Sequence, residues 1–296
     1  MIPNKILFHM SRRMLSAASK RSGFAPNLML NAIKKIAAAA MLAAGSATLY
    51  AAPVGNTAAP QLIKDGFFIP TDCWVDVRAG YEGDFVADAR MKQRMEGRGR
   101  VDDYSQSANA GTATVNILGR LDIYGVLGSS QTCAEWRFHD AAGNVRNAQM
   151  ETFHNFLWGV GARAILFEWG NCDLGAGGCY SSADNRSVWL TIDGINAPVS
   201  SSRCRWREWQ VNLDVSYHID LFTPYAGIKY SNARTRVGPF AVSISNAGVG
   251  SNRFANRVPV GLYVGCGLST GKYFMLNVEG RFIDEEAVAI AGDLRF

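Results

Sequence analysis

The stretch EWQVNLDVSYHID, Glu208 to Asp220, alternates between apolar and polar residues. Trp209, Val211, Leu213, Val215, Tyr217 and Ile219 share one face, and Gln210, Asn212, Asp214, Ser216 and His218 share the other. A period of two is that of a β-strand, whose successive side chains point to opposite sides. The pattern recurs along the chain. In 73–82, Cys73, Val75, Val77, Ala79 and Tyr81 oppose Asp76, Arg78 and Glu82. In 84–92, Phe85, Ala87, Ala89 and Met91 oppose Asp88, Arg90 and Lys92. Near the end, Phe274, Leu276, Val278 and Phe282 oppose Asn277, Glu279 and Arg281. Last, Val288, Ile290, Leu294 and Phe296 oppose Ala287, Ala289, Ala291, Asp293 and Arg295.

Weaker runs predict strands at 112–118, 121–128, 132–138, 155–168, 173–181, 187–192, 222–230 and 258–268. Pro224 and Gly271 mark tight turns at 220–224 and 269–272. Polar stretches at 93–111, 139–150, 193–206 and 231–257 read as loops. No helical period of useful length follows residue 51, and no later apolar run is long enough for a spanning helix. The expectation is an all-β chain of roughly 12–16 antiparallel strands, with 71–296 as one domain.

Alternation fits either a two-sheet sandwich, with the apolar face in a core, or a membrane barrel, with that face in lipid. Four features favour the transmembrane β-barrel. Whole charges sit in mid-strand on the polar faces: Asp76, Arg78, Asp88, Arg90, Lys92, Asp214, Glu279, Arg281, Asp293 and Arg295, with His218 beside them. Aromatic residues gather near strand ends, where a barrel crosses the lipid interface. The chain stops on Phe296, an aromatic at the end of a strand and the expected barrel-assembly signal.

The fourth feature is the N-terminus, which also corrects the charge. Residues 1–51 hold seven Lys and Arg and no acid, so the formal charge of +5 falls to about −2 beyond them. A basic pI that belongs to the leader gives no support to nucleic-acid binding. Lys34 and Lys35 followed by an Ala-rich apolar run form a signal peptide, with the natural start expected at Met29. Residues 52–70, rich in Pro and Ala, read as an extended segment ahead of the barrel.

Export permits disulfides for Cys73, Cys133, Cys172, Cys179, Cys204 and Cys266, although six cysteines allow fifteen pairings. Their spacing does not suit a metal. GVGARA (159–164) fits a dinucleotide fingerprint, but a strand-like run follows it where a helix is needed, so no cofactor is expected. Ser216 and His218 lie on one strand face two residues apart, about 6–7 Å, too far for a nucleophile and its base. No enzyme is expected.

Several segments resemble the chlamydial major outer membrane protein family. APVGNTAAPQLIKDGFF (52–68) with CWVDVRAGYEGDFVADARMK (73–92) is similar to that family's mature start and first hairpin. NAGTATVNILGRLDIYGVLG (109–128) and VGARAILFEWGNCDLGAGGCYSS (160–182) resemble its next and central hairpins. EWQVNLDVSYHIDLFTPYAGIKYSNA (208–233) and YFMLNVEGRFIDEEAVAIAGDLRF (273–296) resemble its late hairpin and its end. The resemblance implies a porin in the outer membrane of a Gram-negative, chlamydia-like bacterium. It would be surrounded by lipid, trimeric, and cross-linked through disulfides to other envelope proteins. Small hydrophilic solutes and ions would diffuse through a lumen lined by the charged faces. Ala287, Ala289 and Ala291 suggest open space there, and the mixed charges suggest weak ion selectivity. The alternative is a structural or adhesive barrel without a useful pore, and lumen filling separates the two.

Overall fold

The computed structural model describes residues 53–70, 73–94, 99–140, 142–198, 202–238 and 253–296. The expected leader, 1–51, and Met29 lie outside the described residues, as does the middle of the expected 231–257 loop.

Ten strands follow in sequence: β1 (Val75–Ala89), β2 (Arg100–Ile117), β3 (Leu121–His139), β4 (Asn155–Trp169), β5 (Cys172–Ile192), β6 (Arg203–Tyr217), β7 (Phe222–Val237), β8 (Val260–Ser269), β9 (Phe274–Phe282) and β10 (Glu285–Arg295). Each pairs antiparallel with the next, and β10 pairs with β1, so the sheet closes on itself. Closure leaves no edge strand and satisfies the backbone from strand to strand. The sheet contains fourteen strand segments. Four of them, Met91–Gln93, Val145–Thr152, Ile195–Asn196 and Arg253–Asn256, only prolong or flank others, so the circuit itself is ten strands.

Strand ends outrun the expected boundaries. Residues 100–111, 145–150, 203–206 and 231–237 were expected as loop and are strand. The alternation persists there but its polarity inverts. On β6, Arg203, Arg205 and Arg207 point outward while Cys204 and Trp206 are buried inside. An end that stands beyond the hydrocarbon meets polar surroundings on its outer side, so apolar residues retreat to the interior.

The turns at one end are tight. Gly119 and Gly271 have φ of +65° and +77° there, a region that residues with a Cβ rarely enter. Phe296 lies at this end, its N–H bonded to the Val77 carbonyl at 3.0 Å. Its ring belongs to a cluster with Phe67 and Tyr273, which stack at 4.6 Å. The long loops are all at the other end.

One face assignment is overturned. A bulge at Glu286/Ala287 shifts the β10–β1 register, so that Glu286 opposes Asp88 and Ala287 opposes Val86. One extra residue turns every later side chain to the opposite face. Met91 is consequently buried among interior apolar residues, and Arg90 and Lys92 are exposed outside. Asp88 sits half-buried at the long-loop rim.

Candidate functional site

On β6 the outward residues Trp209, Val211, Leu213, Val215 and Tyr217 are 41–53% exposed, whereas Gln210, Asn212, Asp214 and Ser216 are 7% exposed or less. The apolar face therefore looks out and the polar face in, as a barrel in lipid requires. The interior has three levels.

At the short-turn end the chain's own N-terminal segment fills the lumen. Ile63–Asp65 pairs with Gly271–Lys272, and a single helical turn, α1 (Ala59–Leu62), precedes it. From there the backbone climbs inside the barrel. Arg78 donates from Nη1 to the Ala59 carbonyl and from Nη2 to the Pro60 carbonyl, both at 2.8 Å. Ser269 Oγ donates to the Leu62 carbonyl at 2.7 Å, and Arg295 Nη1 to the Ile63 carbonyl at 2.9 Å. Thr57 bonds Asp214 through its hydroxyl and its N–H. At the top of the climb the Val54 and Gly55 N–H groups donate to the two carboxylate oxygens of Glu279, at 3.0 and 2.9 Å. Asn56, Thr57, Ala58 and Ala59 are 0–1% exposed.

The middle level is ionic. Arg78 contacts Asp76 at 3.2 Å and Asp122 at 3.6 Å, and Arg163 contacts Asp122 at 2.9 Å. Arg295 meets Asp76 at 3.3 Å. Arg281 joins Asp84 at 2.6 Å, Glu285 at 2.7 Å and Glu279 at 3.4 Å, and Lys229 joins Asp284 at 3.0 Å and Glu285 beside it. These groups are almost wholly buried, so each charge depends on its partners.

The outer level is apolar. Trp136, Phe138, Trp206, Phe254, Leu190, Met150 and Tyr104 are 0–2% exposed and form one cluster. The rings of Trp136 and Phe254 lie 5.5 Å apart.

Between segment and wall, a cavity lined by Pro53, Val54, Glu82, Arg163 and Asp293 leaves about 40 Å³ for the centres of water molecules, room for roughly three. Ala289 and Ala291 line it, so the small residues there accommodate the threaded segment.

Of the charged residues singled out in the sequence, Asp76, Arg78, Asp214, Glu279, Arg281, Asp293 and Arg295 face the interior, while Arg90 and Lys92 do not. His218 sits at the short-turn mouth, its Nε2 2.6 Å from Asp173 Oδ2 and its Nδ1 3.3 Å from Thr223 Oγ1. The order hydroxyl, imidazole, carboxylate is that of a triad, with Thr223 buried at 3% exposure. All six cysteines are free thiols. Among the described residues no cluster has the makings of a metal site. Sequence reading passed over Asp84, Asp122, Lys229, Asp284 and Glu285. Lys229, a single cation on the polar face of YAGIKYS, was the legible one.

No family model matches the chain. The major outer membrane porin of Chlamydia trachomatis serovar F is 25% identical over 396 residues, spanning 90% of this chain and all of the relative. That of Chlamydia psittaci is 25% identical over 392 residues, spanning 89% of this chain and all of the relative. That of Chlamydia muridarum is 23% identical over 405 residues, with 90% of this chain and all of the relative. The chain is a distant homologue of the chlamydial major outer membrane porins. It is a β-barrel of the outer membrane. Ninety per cent of 296 residues is about 266, so about 130 of the 396 aligned positions have no counterpart here. An outer membrane channel of Pseudomonas putida F1 is a similar solved structure, 10% identical with a TM-score of 0.41 over 78% of this chain and all of that one.

Proposed function

We propose that this porin homologue is a passive-diffusion channel for small hydrophilic solutes and ions that is closed at rest by its own N-terminal segment. One observation carries the reading: the segment 53–65 fills the lumen through hydrogen bonds to charged wall residues and through no covalent link. Water can replace each of those bonds, so withdrawal of the segment exposes a wall already suited to hydrated ions. The name of its relatives, major outer membrane porin, points the same way. Catalysis forms no part of the proposal.

A sealed structural barrel is the second reading, and the Trp136–Phe254 contact favours it. Narrow barrels fill their interiors with side chains, and an apolar constriction expels water. Planar bilayers separate the two. The closed-porin reading expects rare openings from the full chain and frequent stepwise conductance from a variant lacking 53–65. Silence from both, with the variant still folded as a heat-modifiable barrel, leaves the sealed barrel.

A further inference from the structure

We propose that a belt of arginines on the outer wall of β6 and β7, at the long-loop end, binds the phosphorylated headgroups of lipids in the outward-facing leaflet. The proposal takes the long-loop end as the cell-exterior end and is independent of whether the lumen conducts.

Arg203, Arg205 and Arg207 occupy successive outward positions of β6, Arg234 and Arg236 those of β7, and Arg253 the adjoining segment, and all six are exposed. The register sets them against each other. Arg205 pairs directly with Arg236, Arg207 with Arg234, and Arg236 with Arg253. Like charges directly across a ladder destabilise it, so the two pairs between β6 and β7, Arg205–Arg236 and Arg207–Arg234, call for an anion between them. The protein supplies little. Asp184 lies 3.4 Å from Arg203 and 3.5 Å from Arg205. Among the described residues, Arg207 and Arg236 have no ion-pair or hydrogen-bond partner, and Arg234 holds only Asn232 at 3.1 Å.

Height identifies the anion. Immediately below Arg207 on the same face stands Trp209, whose ring lies 5.6 Å from that of Tyr230. Below them come Val211, Leu213 and Val215. An aromatic pair capping an apolar band marks the boundary of the hydrocarbon, and two residues further along a strand is about 7 Å. That distance brings the Arg207 guanidinium, and that of Arg234 opposite it, level with the headgroups, with Arg205 and Arg236 one step further out. Guanidinium binds phosphate through two parallel hydrogen bonds and is favoured over ammonium for this purpose. A lipid seated there would place its acyl chains against the apolar band and its phosphates between the paired arginines.

The test uses the full chain refolded in detergent, with diphosphorylated lipid A and its dephosphorylated form as probes and bound lipid read by native mass spectrometry. The expected result is retention of the phosphorylated lipid only, and binding about a hundredfold weaker in the triple variant R207Q/R234Q/R236Q. Should that variant fail to fold, R207K/R234K/R236K preserves the charge and removes the paired hydrogen bonds, and its binding should fall between the two. Equal retention of both lipids by the wild-type protein overturns the proposal, as does undiminished binding by the variants. So does displacement by millimolar inorganic phosphate, which would make this a free-phosphate site. Binding of a sulfated polysaccharide at these residues in preference to the lipid overturns it in favour of an external ligand.

Discussion

Thr57, on the threaded N-terminal segment, donates its hydroxyl to Asp214 on β6, and Tyr263 donates to the same carboxylate at 2.9 Å. Asp214 is 2% exposed, and the bond joins residues 157 positions apart. Asp214→Leu removes the acceptor for both donors and leaves the lipid face untouched. The expected outcome is normal assembly with raised conductance, because the segment loses a mid-lumen anchor. Conductance in planar bilayers and the heat-modifiable gel shift measure the two halves. Loss of assembly with no folded barrel would contradict the assigned faces.

Gly267, on β8, faces the segment at close quarters. A Cβ there would stand 2.9 Å from Leu62 Cδ1 and 3.1 Å from Asn56 Nδ2. A larger side chain therefore competes with the segment for space. Gly267→Leu should push the segment out and expose Thr57. In a Thr57→Cys background, a water-soluble maleimide should label residue 57 at least about tenfold faster with Gly267→Leu than without it, a population shift of about 1.4 kcal/mol.

How much of this was legible follows from what each residue touches. The strand Trp209–Tyr217 was readable because its outer face meets one solvent throughout, lipid, and a single polarity rule applies. Beyond Trp209 the outer side leaves the hydrocarbon, the rule inverts, and residues 203–206, with Trp206 turned inward, read as loop. Arg90 and Lys92 were misplaced because a single bulge residue changes the phase, and a bulge leaves no mark on hydropathy. The segment Val54–Asp65 was the least legible. Its order comes from wall residues hundreds of positions away, such as Glu279, and its own composition is that of a linker. The closing pair of strands, Phe274–Phe282 and Glu285–Arg295, was readable almost to its ends because only two residues separate them.

The ionic middle level is a stability element of its own. Arg281 is wholly buried and contacts Asp84, Glu279 and Glu285 together, with Lys229 sharing Glu285. Arg281→Met leaves those carboxylates facing one another without a guanidinium. A loss of about 3–5 kcal/mol is expected, as for other broken buried ion pairs. Urea titration of the protein in lipid vesicles measures it, and a change below about 1 kcal/mol would mean that water already screens the cluster.

The long-loop end carries a clamp that acid should release. Asp140 accepts hydrogen bonds from the Asn144 and Ala142 N–H groups and from Arg146, which also reaches Asp193 at 2.7 Å. Backbone N–H donors, from Asn144 and Asn147 respectively, together with Arg146 hold both carboxyls below their ordinary range. A carboxyl lowered in the folded state stabilises it above the ordinary value, near 3.9, and that contribution disappears as the pH falls through the lowered value. Protection of the Asn144 and Asn147 amides, taken relative to the intrinsic exchange rate at each pH, should be full above the ordinary carboxyl value and fall as the pH drops through the lowered one. Asp140→Asn should abolish that step.

The outward assignment of Leu213 makes the sharpest contrast with its neighbour. Leu213 is 41% exposed and lies midway between Trp209 and Tyr217 on the outer face, at the centre of the apolar band. A charge there must enter hydrocarbon, at a cost of about 2–4 kcal/mol for arginine at the bilayer midplane. Leu213→Arg should therefore depress folding into vesicles by that amount and leave conductance per folded barrel unchanged. Asp214→Leu, one residue on, should do the reverse. If the arginine at 213 folds as well as leucine, the outer face of β6 does not meet lipid at that height.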